Sequence, residues 1–293
     1  VEIDKNVLKF SKWFSDWNHD VLKRPNTKMF IQDGRAFLRW SSVRYDVIIM
    51  EPMSPLQAGV VNLYSKEFYE LALDHLKEDG ILVQWLPLHL VGREDARSIT
   101  QTFNNVFPKS SVWNSFLTRI VLLVGSREKI NIDKNLFDTK LKSPVLKKVA
   151  EEMKVMSFLD FADFFITDSN HLSTFLKNAK EISDDQPVLE FSAVSLLPPL
   201  KWEIDEIFLN MLRYRINHNP PVTGMSLQEH ETFDRDFKLR TAQRLAVFSR
   251  RYQGPGADAF ARRNYFLGLE EMNAYFDSYL KPQIHLDDAQ WQK

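Results

Sequence analysis

The stretch Tyr45-Asp-Val-Ile-Ile-Met-Glu-Pro-Met-Ser-Pro-Leu-Gln-Ala-Gly59 decides the fold. Its apolar run at 47–50 reads as a buried strand, and it ends at an acid, Glu51, followed by two prolines three positions apart. The prolines forbid a helix directly after the strand and hold the backbone extended over its end. In an open parallel sheet, ligands collect outside the carboxyl ends of the strands. An acid at that point therefore points to a site.

Two neighbouring segments repeat the pattern. Val1-Glu-Ile-Asp4 is a short strand end, and a helix follows, with Val7, Phe10, Phe14 and Trp17 at helical spacing. Asp4 stands where an N-cap would, and Glu2 lies just before it. In doubly wound nucleotide-binding folds an acid in that place accepts hydrogen bonds from ribose hydroxyls. Residues 28–32 read as another strand that ends at Asp33-Gly34, with a helical stretch over 35–40. Three successive strands thus end in an acid at a strand-to-helix junction.

Alternation continues through the first half. The pattern predicts a helix over 65–76 capped by Ser65, a strand over 81–85, a helix over 94–107, and two strands over 111–116 and 119–125. Short connections between strands and helices predict an α/β fold: a doubly wound, Rossmann-like parallel sheet covered on both faces, finished by an antiparallel pair. Beyond 125 the chain changes character. Short helices are expected over 144–153, 157–165 and 170–177, then a turn at Asp184-Asp185-Gln186-Pro187 and a strand over 188–191. From 202 onward helices are expected over 203–216, 227–252 and 257–280, with Gly254-Pro255-Gly256 as a break. The expected division is a sheet domain over 1–199 and a helical region over 200–293. One visible helix pair is too few for a tetratricopeptide-type repeat, and Phe260, Tyr265, Phe266, Tyr275 and Phe276 read as its packing core.

Composition excludes several classes. A net charge of −1 without a basic run gives no case for nucleic acid. Zero cysteines remove disulfides, thiol catalysis and cysteine-bound metal. No apolar stretch reaches the ~18 residues of a membrane helix. The seven histidines are scattered without metal-ligand spacing, so no metal site is expected. His89 follows a strand and reads as a loop histidine, and Asp184-Asp185 ahead of a proline reads as a cap.

The blocks Val1-Glu-Ile-Asp4, Asp33-Gly-Arg-Ala-Phe-Leu38, Tyr45-Asp-Val-Ile-Ile49 with its acid-proline loop, Leu63-Tyr-Ser-Lys-Glu-Phe-Tyr-Glu70 and Asp79-Gly-Ile-Leu-Val-Gln-Trp85 together resemble the spermidine synthase family. They are most similar to the branch whose loop begins Glu-Pro, a branch sometimes fused to a membrane domain. Ile182-Ser-Asp-Asp-Gln-Pro-Val-Leu-Glu-Phe191 resembles that branch's later signature. The resemblance implies an S-adenosylmethionine methyltransferase-like sheet and an aminopropyltransferase: decarboxylated S-adenosylmethionine as co-substrate, a putrescine-like small-molecule amine as acceptor, methylthioadenosine released, and no tightly bound cofactor. Glu2 would bind the donor's ribose, and Asp33 with Gly34 would meet its adenine. Glu51 would hold the attacking amine, and Tyr64 and Gln84 would line the pocket. A cytoplasmic protein is implied, or one at the cytoplasmic face of a membrane if fused upstream, with a homodimer as the assembly to look for.

Two departures stand out. The family's loop has a second acid where this chain has Ser54, and a hydroxyl can orient an amine without accepting its proton at neutral pH. A strand and a glycine-rich turn also precede the Val-Glu-Ile-Asp block in this family, so the chain is expected to be a piece of a longer protein. Two further functions stay open on these grounds. One is a catalytically inactive binding or scaffold module. The other is a methyltransferase, although the Asn/Asp-Pro-Pro-aromatic loop of that class is absent.

Overall fold

In the computed structural model the described residues are 1–52, 55, 57, 59–115, 120–192, 201–215, 218–249, 267–268 and 270–274. The strands are β1 (Tyr45–Met50), β2 (Leu76–Pro87), β3 (Ser111–Asn114), β4 (Ile120–Ser126), β5 (Ile132–Asp133), β6 (Phe165–Asp168) and β7 (Val222–Thr223). The helices are α1 (Lys5–Phe10), α2 (Ser15–Asn18), α3 (Gly34–Trp40), α4 (Lys66–Asp74), α5 (Arg93–Val106), α6 (Lys134–Lys140), α7 (Pro144–Glu152), α8 (Phe158–Ala162), α9 (Ser173–Leu176), α10 (Lys201–Tyr214) and α11 (Leu227–Ser249).

Five strands form the central sheet in the order β1-β2-β4-β3-β6. The β1–β2 pair is parallel, joined through α4, and brings Met50 opposite Gln84. Chain reversal after β2 then gives antiparallel pairs: β2 with β4, β3 with β4, and β3 with β6. The result is a mixed α/β, Rossmann-like sheet that ends in the antiparallel finish expected. β5 and β7 form a separate parallel pair.

One face of the sheet is closed. Leu82, Gln84 and Leu86 of β2 and Val121 and Leu123 of β4 are buried there beneath α4, α5 and α10. Helix α5 presents Ala96, Ile99 and Phe103 to this core at helical spacing, and Phe107 follows. Ile204, Ile207, Leu209, Met211 and Leu212 of α10 and Leu245 of α11 belong to the same cluster, so the helices after 200 share the sheet's core. A second cluster joins Phe158 and Phe165 to Phe233 and Phe237.

Three local expectations need correction. Residues 28–32 are not a strand: a single parallel bridge, Glu2 to Ile31, joins them to the amino end. Among the described residues neither segment pairs with the five-stranded sheet, so β1 is an edge strand and the sheet's second face is open. Residues 163–165 do not extend a helix. Phe165-Ile-Thr-Asp168 is β-branched and aromatic, fully buried, and adds to the free edge of β3. Residues 188–191 wind into a 3₁₀ turn after Pro187 rather than a strand. The expected helix over 257–280, with the aromatics named above, lies almost wholly outside the described residues, as does the Gly254-Pro255-Gly256 break.

Candidate functional site

Glu51 is the first residue after β1 and is exposed. Gln84 faces its neighbour Met50 across the parallel pair, at the end of β1 and three residues before the end of β2. The side chain of Gln84 is fully buried. Its Nε2 donates to the Trp85 carbonyl at 3.1 Å, while Oε1 has no hydrogen-bond partner among the described residues. An orphaned buried carbonyl oxygen is costly.

The chain beyond Glu51 is steered by distant acids. Gly59 adopts φ +81°, a conformation that favours glycine, and opens a 3₁₀ turn over Val60–Leu63. Its N–H donates to Glu190 Oε1 at 2.8 Å. Asp184 takes a bidentate pair of hydrogen bonds from Arg35, at 2.8 and 2.5 Å, and one from Ser65 Oγ at 2.7 Å. Arg35 also donates to the Asn62 carbonyl at 2.9 Å. The 182–191 segment thus fastens α3, the start of α4 and the loop after β1 into one unit. Arg35 beside Asp184 is the chief cause that holds this carboxyl below the usual range, and Ser65 adds to it against partial burial. Asp184 is therefore a cross-chain clamp rather than a cap. Sequence reasoning missed Arg35, whose only signal was its place directly after Asp33-Gly34.

The remaining expected site residues separate into two groups. Glu2 and Asp33 come together, because Glu2 N–H donates to the Phe30 carbonyl and Gln32 N–H donates to the Glu2 carbonyl. Glu2 Oε1 accepts from Asp4 N–H at 2.9 Å. Asp33 caps α3, its Oδ1 accepting from Ala36 N–H at 2.7 Å. It opens on a cleft of about 470 Å³ shared with Arg35, Ala36, Arg39 and Trp40. A Cβ built on Gly34 would meet no atom within 4 Å, so space lies open beside it. Neither Glu2 nor Glu51 lines that cleft, and among the described residues no hydrogen bond or ion pair joins Glu51 to Glu2 or Asp33. Tyr64 is fully buried in the core below the loop, and burial pushes its hydroxyl well above the usual range. It belongs to the hydrophobic core and lines none of the clefts described. Ser54 lies outside the described residues.

A second polar cluster stands at the other edge of the sheet. Asp168, which ends β6, meets His171 Nδ1 at 2.8 Å through Oδ1 and His218 Nε2 at 3.0 Å through Oδ2. Burial opposes the Asp168 charge, but the two imidazoles outweigh it and hold the carboxyl far below its usual range. The Asp168-x-x-His171 spacing was the only local hint of this cluster, since His218 is brought in by the fold.

Residues 1–124 match the spermine/spermidine synthase domain. A polyamine aminopropyltransferase of Saccharolobus solfataricus is 29% identical over 119 residues, 40% of each chain. One of Alkaliphilus oremlandii is 39% identical over 83 residues, 28% of this chain and 29% of that protein. The chain spans less than half the length of these curated relatives. The solved spermidine synthase of Thermotoga maritima aligns at a TM-score of 0.37 and 18% identity, over 65% of this chain and 55% of the other. No helix among the described residues is long and apolar enough to cross a membrane.

Proposed function

We propose, from the match of residues 1–124 to the spermine/spermidine synthase domain, that the chain transfers an aminopropyl group from decarboxylated S-adenosylmethionine to a putrescine-like amine. Residues 1–199 carry this chemistry, and helices α10 and α11 brace the closed face of the sheet. The observation that carries the reading is Glu51 directly after the parallel strand β1, beside the buried and unsatisfied Gln84.

The acceptor is cationic at neutral pH, because an alkylammonium has an unperturbed pKa of about 10. Its nitrogen attacks only after it loses a proton. The Glu51 carboxylate attracts the ammonium, orients it and takes that proton, which passes to solvent. A carbon–nitrogen bond then forms at the donor methylene beside the sulfonium. The carbon–sulfur bond breaks with its electron pair on sulfur, and neutral methylthioadenosine leaves. Glu2 serves the donor's ribose and Asp33 with Gly34 its adenine, on the rim where an open cleft borders Asp33. Gln84 and Tyr64 shape the pocket, and Ser54 orients the amine in place of a second acid. Donor binding needs Glu2 and Asp33 to approach Glu51, which a shift of the amino-terminal segment onto the open side of β1 would provide.

The test is turnover of decarboxylated donor with a panel of linear diamines, followed by release of methylthioadenosine. Glu51→Gln keeps the size of the side chain and removes its basicity, so kcat/KM should fall by about 100-fold or more. Unchanged turnover in that variant would remove Glu51 from its role. Absence of turnover with every amine would overturn the transferase itself.

A further inference from the structure

We propose that Asp168, His171 and His218 form a binding site for a divalent transition metal of the zinc class. Their three ligand atoms, one per side chain, all lie within 4.8 Å of one another. Each residue is placed by the fold. Antiparallel pairing of Asp168 with Ser111 fixes the carboxylate at the end of β6. His171 belongs to the 3₁₀ turn Ser169–His171, anchored by Ser169 N–H to the Ser110 carbonyl at 2.9 Å and Ser169 Oγ to the Pro108 carbonyl at 2.6 Å. The His218 ring lies stacked on His171 at 3.7 Å and against Phe165 at 5.7 Å.

Each ring aims one nitrogen at its own oxygen of the same carboxylate. These nitrogen–oxygen distances of 2.8 and 3.0 Å compare with ~3.4 Å between ligand atoms around a tetrahedral ion with bonds of 2.0–2.1 Å. Outward movement of a few tenths of an ångström, with loss of the bridging protons, therefore seats the ion. Two imidazoles and a carboxylate suit zinc, and three protein ligands leave a fourth position for water. Asp168 borders a cavity of about 400 Å³ with Lys109, Ser111, Trp113 and Asn170 from which that water can come. A bound ion would tie the segment after α10 to the edge strand of the sheet.

The full chain, made without a polyhistidine tag, should be titrated with Co²⁺ and then Zn²⁺. With no cysteine present, visible ligand-field bands report nitrogen and oxygen ligands without thiolate absorption. One equivalent of Co²⁺ should give the intense bands of a four-coordinate ion. Zn²⁺ should abolish them and raise Tm by roughly 5 °C at saturation. His171→Ala removes a partly exposed ring, so the fold should persist by circular dichroism while the bands and the Tm shift disappear; His218→Ala should behave the same way. His230→Ala, at a histidine paired instead with Asp234, should keep both signals. Absence of four-coordinate bands in the unaltered protein, or bands retained in His171→Ala, would overturn the site.

Discussion

At the scale of single residues, the chain uses its acids in two different ways. Glu51 stands exposed at a strand end, open to solvent and to a cation. Asp184 is spent on structure: it closes a clamp between α3 and α4 that the sequence alone did not reveal. The sign of its pH effect follows from its depressed pKa. A carboxyl held down in the folded state adds stability that is fully present above its unfolded value of about 3.9 and is lost as pH falls through the folded one. Asp184→Asn should therefore cost about 1 kcal/mol at pH 7, a modest figure because the pair is partly open to solvent. The difference from the parent should shrink as pH falls below that unfolded value. Urea unfolding of both proteins across that pH range measures it. A constant gap at low pH would show that the charge is not what stabilises.

At the scale of elements, legibility followed the source of the information. Helices α4 and α5 and strands β2 and β4 were legible because apolar periodicity is written locally in each. The Glu51 strand end was legible for the same reason. Strand β6 was not, because Phe158, Phe161, Ala162 and Phe165 also fit a helical stripe, and only the free edge of β3 decides between the two states. His218 joining Asp168 and Arg35 joining Asp184 are products of folding, with partners far apart in the chain. Two substitutions probe how these elements meet. A Cβ at Gly125 of β4 would lie 2.5 Å from the ring of Phe107 and 2.9 Å from that of Phe103. Those rings are buried and pack tilted against each other with centroids 4.9 Å apart, so neither can yield cheaply. Gly125→Ala should destabilise by about 1–3 kcal/mol in denaturant melts. Arg215, fully buried at the end of α10, donates to the Asp163 carbonyl and pairs with its carboxylate, which Arg244 of α11 also meets. Burial is the main cause that lowers the Arg215 guanidinium to about 10. Asp163→Asn leaves that buried cation without its counter-charge and should cost about 3–5 kcal/mol. A loss below 1 kcal/mol, taken as roughly the value of an exposed pair, would mean that the Arg215 charge is already solvated.

At the scale of the whole molecule, the closed face of the sheet contrasts with the other. Val47 and Ile49 of β1 are 48% and 66% exposed. By register they share a face with Ile81 and Val83 of β2 and Leu122 and Val124 of β4, none of them fully buried. The apolar stripe predicted for the amino-terminal helix is also exposed at Val7, Phe10, Phe14 and Trp17, as is Trp40 at the end of α3. Apolar surface beside an edge strand that the described residues leave uncovered favours association through that edge. Under native conditions the chain should bind an apolar dye such as anilinonaphthalene sulfonate and show a sedimentation coefficient that rises with concentration. Ile49→Lys puts a charge on the edge at a position that contributes little to the core, so its unfolding free energy should change by no more than about 0.5 kcal/mol. Dye binding and the concentration dependence should both fall in that variant. If neither falls while the fold is retained, this face is not the surface through which the chain associates, and the exposed stripe of the amino-terminal segment becomes the place to introduce the charge.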